Sequence, residues 1–393
     1  MTIARVVILS LALTFAVRAE QWSSTLSNCS PQLTIVAPAD TNSALPVIIW
    51  LENLAGPPRR TESDAKTLSA FTNEGYLVLR VDYARHPQAR VPFLNRDLGK
   101  MRDDLRAKTL LAGFKLDDAH IFMVPEGCRL QRDLVFYREE KRTLSLDLIY
   151  PAAPKRPVGA IIEFSCDNQS RFGNTSLSIC SDTILDAFAT EGFAVAMADH
   201  PVAAPYKGLD PMPDCARKIK AAVRTLRAQG RTLGLNGKIA PVGFSRGSGM
   251  ALMLVTTGTL PEFDGFGEST NASSTVQGAV VMSGRFTYLD LLPDDKMIPR
   301  YAKVWGERNA SMETWRRHGA LDYLTGATTP LFLTINSTEA PEALHQMEVL
   351  RRRLTELGSP FEFHLEAAPR GHKVTLDPKI LAEMSRYFHS RLD

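Results

Sequence analysis

The sequence predicts an α/β fold built on a mostly parallel sheet, and three observations carry that prediction. Short apolar runs alternate with stretches of helical spacing along most of the 393 residues, the pattern of successive βαβ units. One such run, Ile239 to Val242, leads through Gly243-Phe244-Ser245-Arg246-Gly247 directly into an Ala/Met/Leu-rich helical stretch, the strand, turn and helix context of a G-x-S-x-G elbow. The same order of elements also occurs twice. Leu68-x-Ala70-Phe71-x-x-Glu74-Gly75-Tyr76 followed by Asp82 is matched by Leu185-x-Ala187-Phe188-x-x-Glu191-Gly192-Phe193 followed by Asp199, with every matched residue 117 positions on.

Composition bounds the rest. At 44% hydrophobic and 23% charged, a chain of this length buries a large core and holds more than one structural unit. Its 46 basic and 43 acidic residues leave a net charge of +3. Neither that balance nor any basic stripe interleaved with aromatics argues for nucleic acid as a partner.

The N-terminus reads as a targeting segment spanning residues 1–19: Arg5, the apolar run Val6 to Val17, then Val17-Arg18-Ala19 as a peptidase site before polar Glu20-Gln21. The run is too short to span a bilayer as an ordinary helix. The expectation is an exported protein, periplasmic or extracellular, without stable membrane insertion. In that compartment a disulfide is permitted, and of Cys29, Cys128, Cys166, Cys180 and Cys215 the pair Cys166–Cys180, flanking one loop, is the first choice. No CxxC pair and no HExxH occurs, so neither a metal site nor another cofactor is indicated.

In chain order, residues 20 to 44 carry turn formers and read as a loose leader. Leu45 to Leu51 (LPVIIWL) is a continuous apolar run that suits a strand buried on both faces. Ala65 to Asn73 is helical, Gly75 to Asp82 a strand, Asp97 to Leu111 helical and His120 to Val124 a strand. The resulting unit, residues 20–125, reads as a partial, degenerate copy of the βαβαβ core later in the chain. At its turn stands Val124-Pro125-Glu126-Gly127-Cys128, with no serine nucleophile and with the cysteine one place off register. The second domain, residues 126–393, opens on two alternating segments, Asp133 to Arg138 and Thr143 to Tyr150, joined by a charged turn and therefore antiparallel. Strands then run over Ala160 to Phe164, Phe193 to Asp199, Val276 to Met282, Leu331 to Asn336 and Phe361 to Leu365. Helices fall at Thr183 to Thr190, Asp214 to Leu226, Ala343 to Leu357 and Pro378 to Leu392. Between them an insertion at 284–327 is rich in aromatics (Phe286, Tyr288, Tyr301, Trp305, Trp315, Tyr323), long enough for a partial lid and suited equally to sugar or phenolic rings and to core packing.

At the elbow, a sharp turn brings backbones so close that a Cβ at Gly243 or Gly247 would clash. Ser245 then sits at the tip, its hydroxyl exposed above the sheet beside the amides of a helix N-terminus. That placement lets one residue attack a carbonyl while its neighbours stabilise the oxyanion.

With two antiparallel strands, alternating parallel strands and helices and a serine elbow, Arg132 to Asp393 resembles the α/β-hydrolase superfamily. The likeness is to its esterase branch of acetylxylan esterases, feruloyl esterases and dienelactone-hydrolase-like or prolyl-oligopeptidase-like catalytic domains. The most specific pieces are Gly243 to Gly247, the approach from Tyr206 to Val242, and Gly371-His372. The resemblance implies an α/β-hydrolase fold and an order of nucleophile, acid and base, with His372 as the base after the last strand. The acid belongs just after Leu331 to Asn336, where the strict position is Ala340. Glu339 is the implied acid, with Glu342 and Asp290 (or Asp294 or Asp295, after the preceding strand) as alternatives. The implied oxyanion donors are the backbone amides of Arg246 and of Cys166, where Ser165-Cys166-Asp167-Asn168 replaces the H-G-G-G of many relatives. The Arg246 side chain either meets a substrate carboxylate or pairs with Asp199 or Asp214. The resulting expectation is a serine carboxylic-ester hydrolase acting on a small or polysaccharide ester, with acetyl and feruloyl as the candidate acyl groups. Two readings stand beside it: a serine peptidase of the same fold, and a catalytically decayed binding or scaffold protein.

Overall fold

The computed structural model describes residues 16–17, 22–55, 64–89, 94–140, 143–164, 182–201, 212–326, 328–367, 369, 371–373 and 377–393. These divide into two compact units, those within Met1–Ala89 and Lys100–Gly127, and those within Arg90–Gly99 and Cys128–Asp393.

The first unit holds β1 (Ala16–Val17), β2 (Gln32–Val36), β3 (Leu45–Glu52), α1 (Asp64–Asn73), β4 (Leu77–Asp82), part of α2 (Leu94–Arg106) and β5 (Leu116–Pro125). Its sheet runs β1-β2-β4-β3-β5. β1 and β2 are antiparallel to their neighbours, while β3 pairs in parallel with both β4 and β5. The run LPVIIWL is the buried central strand its composition demands, with Val47 to Leu51 at 0% exposure. Two expectations need correction. Gln32–Val36 is a strand rather than loose leader: Leu33 and Ile35 alternate inward, a period of two too short to stand out among turn formers. Helix α2 stops at Arg106 instead of Leu111, since Lys108 and Leu111 take positive φ, incompatible with a continuing helix.

The second unit holds β6 (Cys128–Arg138), β7 (Thr143–Pro151), β8 (Val158–Phe164), α3 (Asp182–Glu191), β9 (Ala194–Ala198), α4 (Met212–Gly230), β10 (Leu235–Phe244), α5 (Arg246–Thr256), β11 (Ala279–Met282), α6 (Ile298–Trp305), α7 (Met312–His318), β12 (Leu331–Asn336), α8 (Pro341–Glu356), β13 (Phe361–Glu366) and α9 (Pro378–Leu392). Its eight-stranded sheet runs β6-β7-β9-β8-β10-β11-β12-β13. The β6–β7 and β7–β9 pairs are antiparallel and every other pair is parallel. Both faces are covered, as a parallel sheet of Val, Ile and Leu requires. Ala221, Leu226, Met250, Leu252, Met347 and Leu350 pack on one side. Phe188, Met384, Tyr387, Phe388 and Leu392 pack on the other. This is the α/β-hydrolase fold, with β10 central and the β10–α5 junction at the carboxyl edge of the sheet.

Strand for strand, β1-β2-β4-β3-β5 repeats the order and the directions of β6-β7-β9-β8-β10. The registers agree too. Trp50 lies opposite Arg80 and Val124, while Glu163 lies opposite Met197 and Val242. Counting on from Val124 and Val242 puts Gly127 where the second sheet has Ser245, and both residues take positive φ, +75° and +53°. Among the described residues no helix is long and apolar enough to cross a membrane.

Candidate active site

Ser245 caps α5 with φ +53° and ψ −116°, a backbone region that costs a non-glycine residue strain of roughly 1–3 kcal/mol. The surrounding glycines make the turn possible. A Cβ on Gly243 would stand 2.1 Å from the carbonyl oxygen of Gly247, and one on Gly247 would stand 3.0 Å from that of Phe164. Gly284, beyond β11, is constrained in the same way, since its Cβ would fall 2.7 Å from the Ser245 carbonyl oxygen. The backbone N–H of Ser245 donates to Met282 O at 3.2 Å and continues the sheet, which leaves the side chain at the head of α5. Arg246 is the first residue of that helix, so its amide is one of the groups a helix leaves without an internal partner.

His372 sits between β13 and α9. Its loop is tied to the turn after β12 where the Gly371 N–H donates to Thr338 Oγ1 at 3.1 Å. That turn is itself closed by the Asn336 side chain, which accepts from the backbone and hydroxyl of Thr338. The ring of His372 lies 4.7 Å from that of Phe244, and Nε2 stands 2.9 Å from Ser245 Oγ. On the opposite edge, Nδ1 donates to Glu339 Oε1 at 3.0 Å. A carboxylate can only accept, so the proton is on Nδ1, and in the neutral ring the Nε2 lone pair then faces the serine hydroxyl.

Glu339 is fully enclosed, with a side-chain exposure of 1% against 49% for His372. Oε1 also accepts from the Ala340 N–H at 3.1 Å, and Oε2 accepts from the hydroxyl of Ser283 at 2.8 Å. Burial works to raise this carboxyl, but the hydrogen bonds from His372, Ala340 and Ser283 outweigh it and hold the group below its ordinary value. The carboxylate is therefore charged at neutral pH, as a group able to stabilise an imidazolium must be.

Two of the other acids are engaged elsewhere. Asp290 meets His345 at 2.9 Å and Arg352 at 3.0 Å. Asp295 forms a two-point pair with Arg285 and accepts from the Met297 N–H at 2.9 Å. Asp294 is exposed, and Glu342 lines the cavity without being the carboxylate that His372 touches. Cys166 and Cys180 lie outside the described residues, and with them the second oxyanion donor and the first-choice disulfide. Cys128 and Cys215 are buried.

Ser245, His372 and Glu339 open onto a cavity of about 390 Å³. Tyr288, Met297, Tyr301 and Trp305 form one wall, with Arg246, Arg285 and Glu342 among its charged groups. Tyr301 and Trp305 stack 4.8 Å apart at an interplanar angle of 5°, and Tyr288 meets both edge-on. The aromatic insertion is thus divided. Phe286 is at 0% exposure in the core of the sheet, Trp315, also at 0%, packs edge-on against Tyr301 and Trp305, Tyr323 packs on Phe263, and the remaining three face the cavity. Asp214, one partner considered for Arg246, is held by Lys218 at 2.7 Å, and Asp199 accepts from the Ser145 N–H. Sequence reasoning missed Ser283 and Arg285. A Ser-Gly-Arg after a strand reads only as a turn, and no spacing links it to Glu339. Among the described residues no group of three or more His, Cys, Asp or Glu side chains could hold a metal ion.

Residues 146–352 match the model of the BD-FAE family. Curated protein sequences give no match. Among solved structures, the truncated form of a carbohydrate esterase from gut microbiota superposes with a TM-score of 0.55 at 15% identity, over 67% of this chain and 95% of that one. Butyrate-bound esterase 2 of the Planctomycetes species Thermogutta terrifontis gives 0.51 at 17% identity, over 67% and 94%. The same esterase phosphonylated by sarin gives 0.53 at 16%, over 67% and 95%. At such identities the likeness is one of fold.

Proposed function

The chain belongs to the BD-FAE family of esterase-like α/β-hydrolases, and from that premise we propose that it is an exported serine hydrolase of carboxylic esters. One observation carries the serine mechanism. Ser245 Oγ lies 2.9 Å from Nε2 of a histidine whose other nitrogen bonds a buried carboxylate at 3.0 Å. Nucleophile, base and orienting acid are thereby within hydrogen-bond reach in the order acyl transfer needs.

In this reading Ser245 Oγ attacks the ester carbonyl and its proton passes to His372 Nε2, with Glu339 holding the imidazolium. The negative charge on the tetrahedral carbonyl oxygen is met by the Arg246 N–H. Collapse breaks the bond to the alcohol, which leaves with the proton from His372. Water, deprotonated by the same nitrogen, then releases the acid from Ser245.

Acetyl or feruloyl esters of plant polysaccharide are the substrates we assign. The aromatic wall of Tyr288, Tyr301 and Trp305 offers a flat apolar surface for a sugar or phenolic ring. A carbohydrate ester is also the class of substrate that the name of the gut-microbiota neighbour carries. Residues 1–19 are the export signal, residues 20–125 a partial copy of the hydrolase core, and residues 284–327 the insertion that walls the site. Within residues 20–125 the order β2-β4-β3-β5, which matches β7-β9-β8-β10, and the glycine at the place of the nucleophile favour that view of the first unit, which makes it incapable of the same chemistry.

Hydrolysis of p-nitrophenyl acetate to octanoate and of methyl ferulate, by the wild type and Ser245→Ala, tests the proposal. Turnover that vanishes in the variant supports it. A folded wild type that is inert on every ester while cleaving peptides, or that resists a fluorophosphonate altogether, favours the peptidase or the decayed scaffold instead.

A further inference from the structure

The acid of the site has a partner that its chemistry does not itself require. Ser283 follows β11 directly, is 2% exposed and holds a positive φ of +38°. Its hydroxyl donates to Glu339 Oε2 at 2.8 Å and lies 3.5 Å from His372 Nδ1. The Ser283 backbone is fixed on both sides: its N–H donates to Thr334 O at 3.3 Å, and its carbonyl accepts from the Ser248 hydroxyl at 3.1 Å. The same Ser248 hydroxyl reaches the carbonyl oxygen of Ser245. Gly284 permits this approach, since a Cβ there would stand 2.0 Å from Ser248 Oγ.

We propose that Ser283 is a positioning residue, one that fixes the carboxylate plane of Glu339 and, through it, the ring of His372 in line with Ser245. The proposal rests on the reading of Ser245, His372 and Glu339 as nucleophile, base and acid. With one oxygen held by Ser283 and the other by the Ala340 N–H, the carboxylate cannot swing as the imidazole charges and discharges. Ser283 also withdraws charge from Oε2. Among the described residues, the other charged or titratable groups lining the cavity beside it are His372, Arg246 at the head of α5, Arg285 and Tyr288 after β11, Tyr301 in α6 and Glu342 in the first turn of α8. Removing the hydroxyl takes away one of the hydrogen bonds that hold the Glu339 carboxyl below its ordinary value and so favours its protonation, which moves the acid limb of activity to higher pH.

A double-mutant cycle on the full chain tests this, using kcat/KM for p-nitrophenyl acetate across pH. Ser283→Ala keeps the Cβ, and Ser283→Gly suits the positive φ, so using both separates a lost contact from a failure to fold. The expected result is a loss of about tenfold in kcat with KM little changed, an acid limb displaced upward, and no further loss when Ser283→Ala is added to Glu339→Gln. An unmoved pH profile, or the same fractional loss in the Glu339→Gln background, overturns the proposal. If Glu339→Gln is itself silent, the underlying assignment of the acid fails instead.

Discussion

Ser245 Oγ and His372 Nε2 are 127 residues apart in sequence and 2.9 Å apart in space. The contact is made at one edge of a single sheet, between the turn that ends β10 and the loop that comes after β13. Neither side chain is long, so the distance depends on the strained turn at Ser245 and on the anchoring of Gly371 by Thr338.

The turn at Ser245 should tolerate its two glycines unequally. Gly243→Ala places a Cβ 2.1 Å from a backbone oxygen, whereas Gly247→Ala places one at 3.0 Å. Thermal unfolding should show Gly243→Ala destabilised by about 3 kcal/mol or more and inactive, with Gly247→Ala folded and the less affected of the two.

The choice among acids is equally testable. Glu339→Gln keeps the shape but lets the His372 tautomer reverse, and kcat should fall by roughly 10³–10⁴. Asp290→Asn disturbs only its pairs with His345 and Arg352, so ester turnover should stay within about twofold and stability within about 1 kcal/mol. Equal losses in the two variants would remove Glu339 from its place.

Asp322 provides a pH test of packing away from Ser245. Burial pushes its carboxyl up to about 6, against a hydrogen bond from Thr287 at 2.9 Å that works in the other direction. A carboxyl raised on folding binds its proton more tightly in the native state, so stability falls as pH rises from about 4 to about 6 and stays lower above that. Asp322→Asn, which keeps a polar partner for Thr287, should raise Tm at pH 8 by the equivalent of about 1–2 kcal/mol and by far less at pH 4. A difference that does not change with pH would contradict this.

The wall of the cavity should set acyl preference. Trp305 stacks on Tyr301 at 4.8 Å and lines the space before Ser245. Trp305→Ala opens that space, and the ratio of octanoate to acetate hydrolysis should rise by roughly tenfold, the worth of a few buried methylenes in part offset by the lost stack. An unchanged ratio would put the acyl group elsewhere.

Much of this site is legible in the sequence because its signals are local. Gly243 to Gly247 sit where two backbones nearly touch, and no other residue fits Gly243, so the elbow is written in five consecutive residues. The central strands are legible as continuous apolar runs for a related reason, that both faces of the sheet are covered. Ser283 is not legible, because its contact with Glu339 is set by the register of β11 against β12, and a serine after a strand carries no mark of it. Arg285 is hidden similarly by its pairing with Asp295, which turns an anticipated acid into a counter-ion. Strand β2 is lost among turn formers because its alternation lasts only five residues.

The central claim, that Ser245 is the nucleophile of an acyl transfer, is tested most directly by mass spectrometry after treatment with a fluorophosphonate. The expected result is one phosphonyl adduct per chain, on the peptide containing Ser245, and none in Ser245→Ala. A folded wild type that takes no adduct, or takes it on another residue, would contradict it.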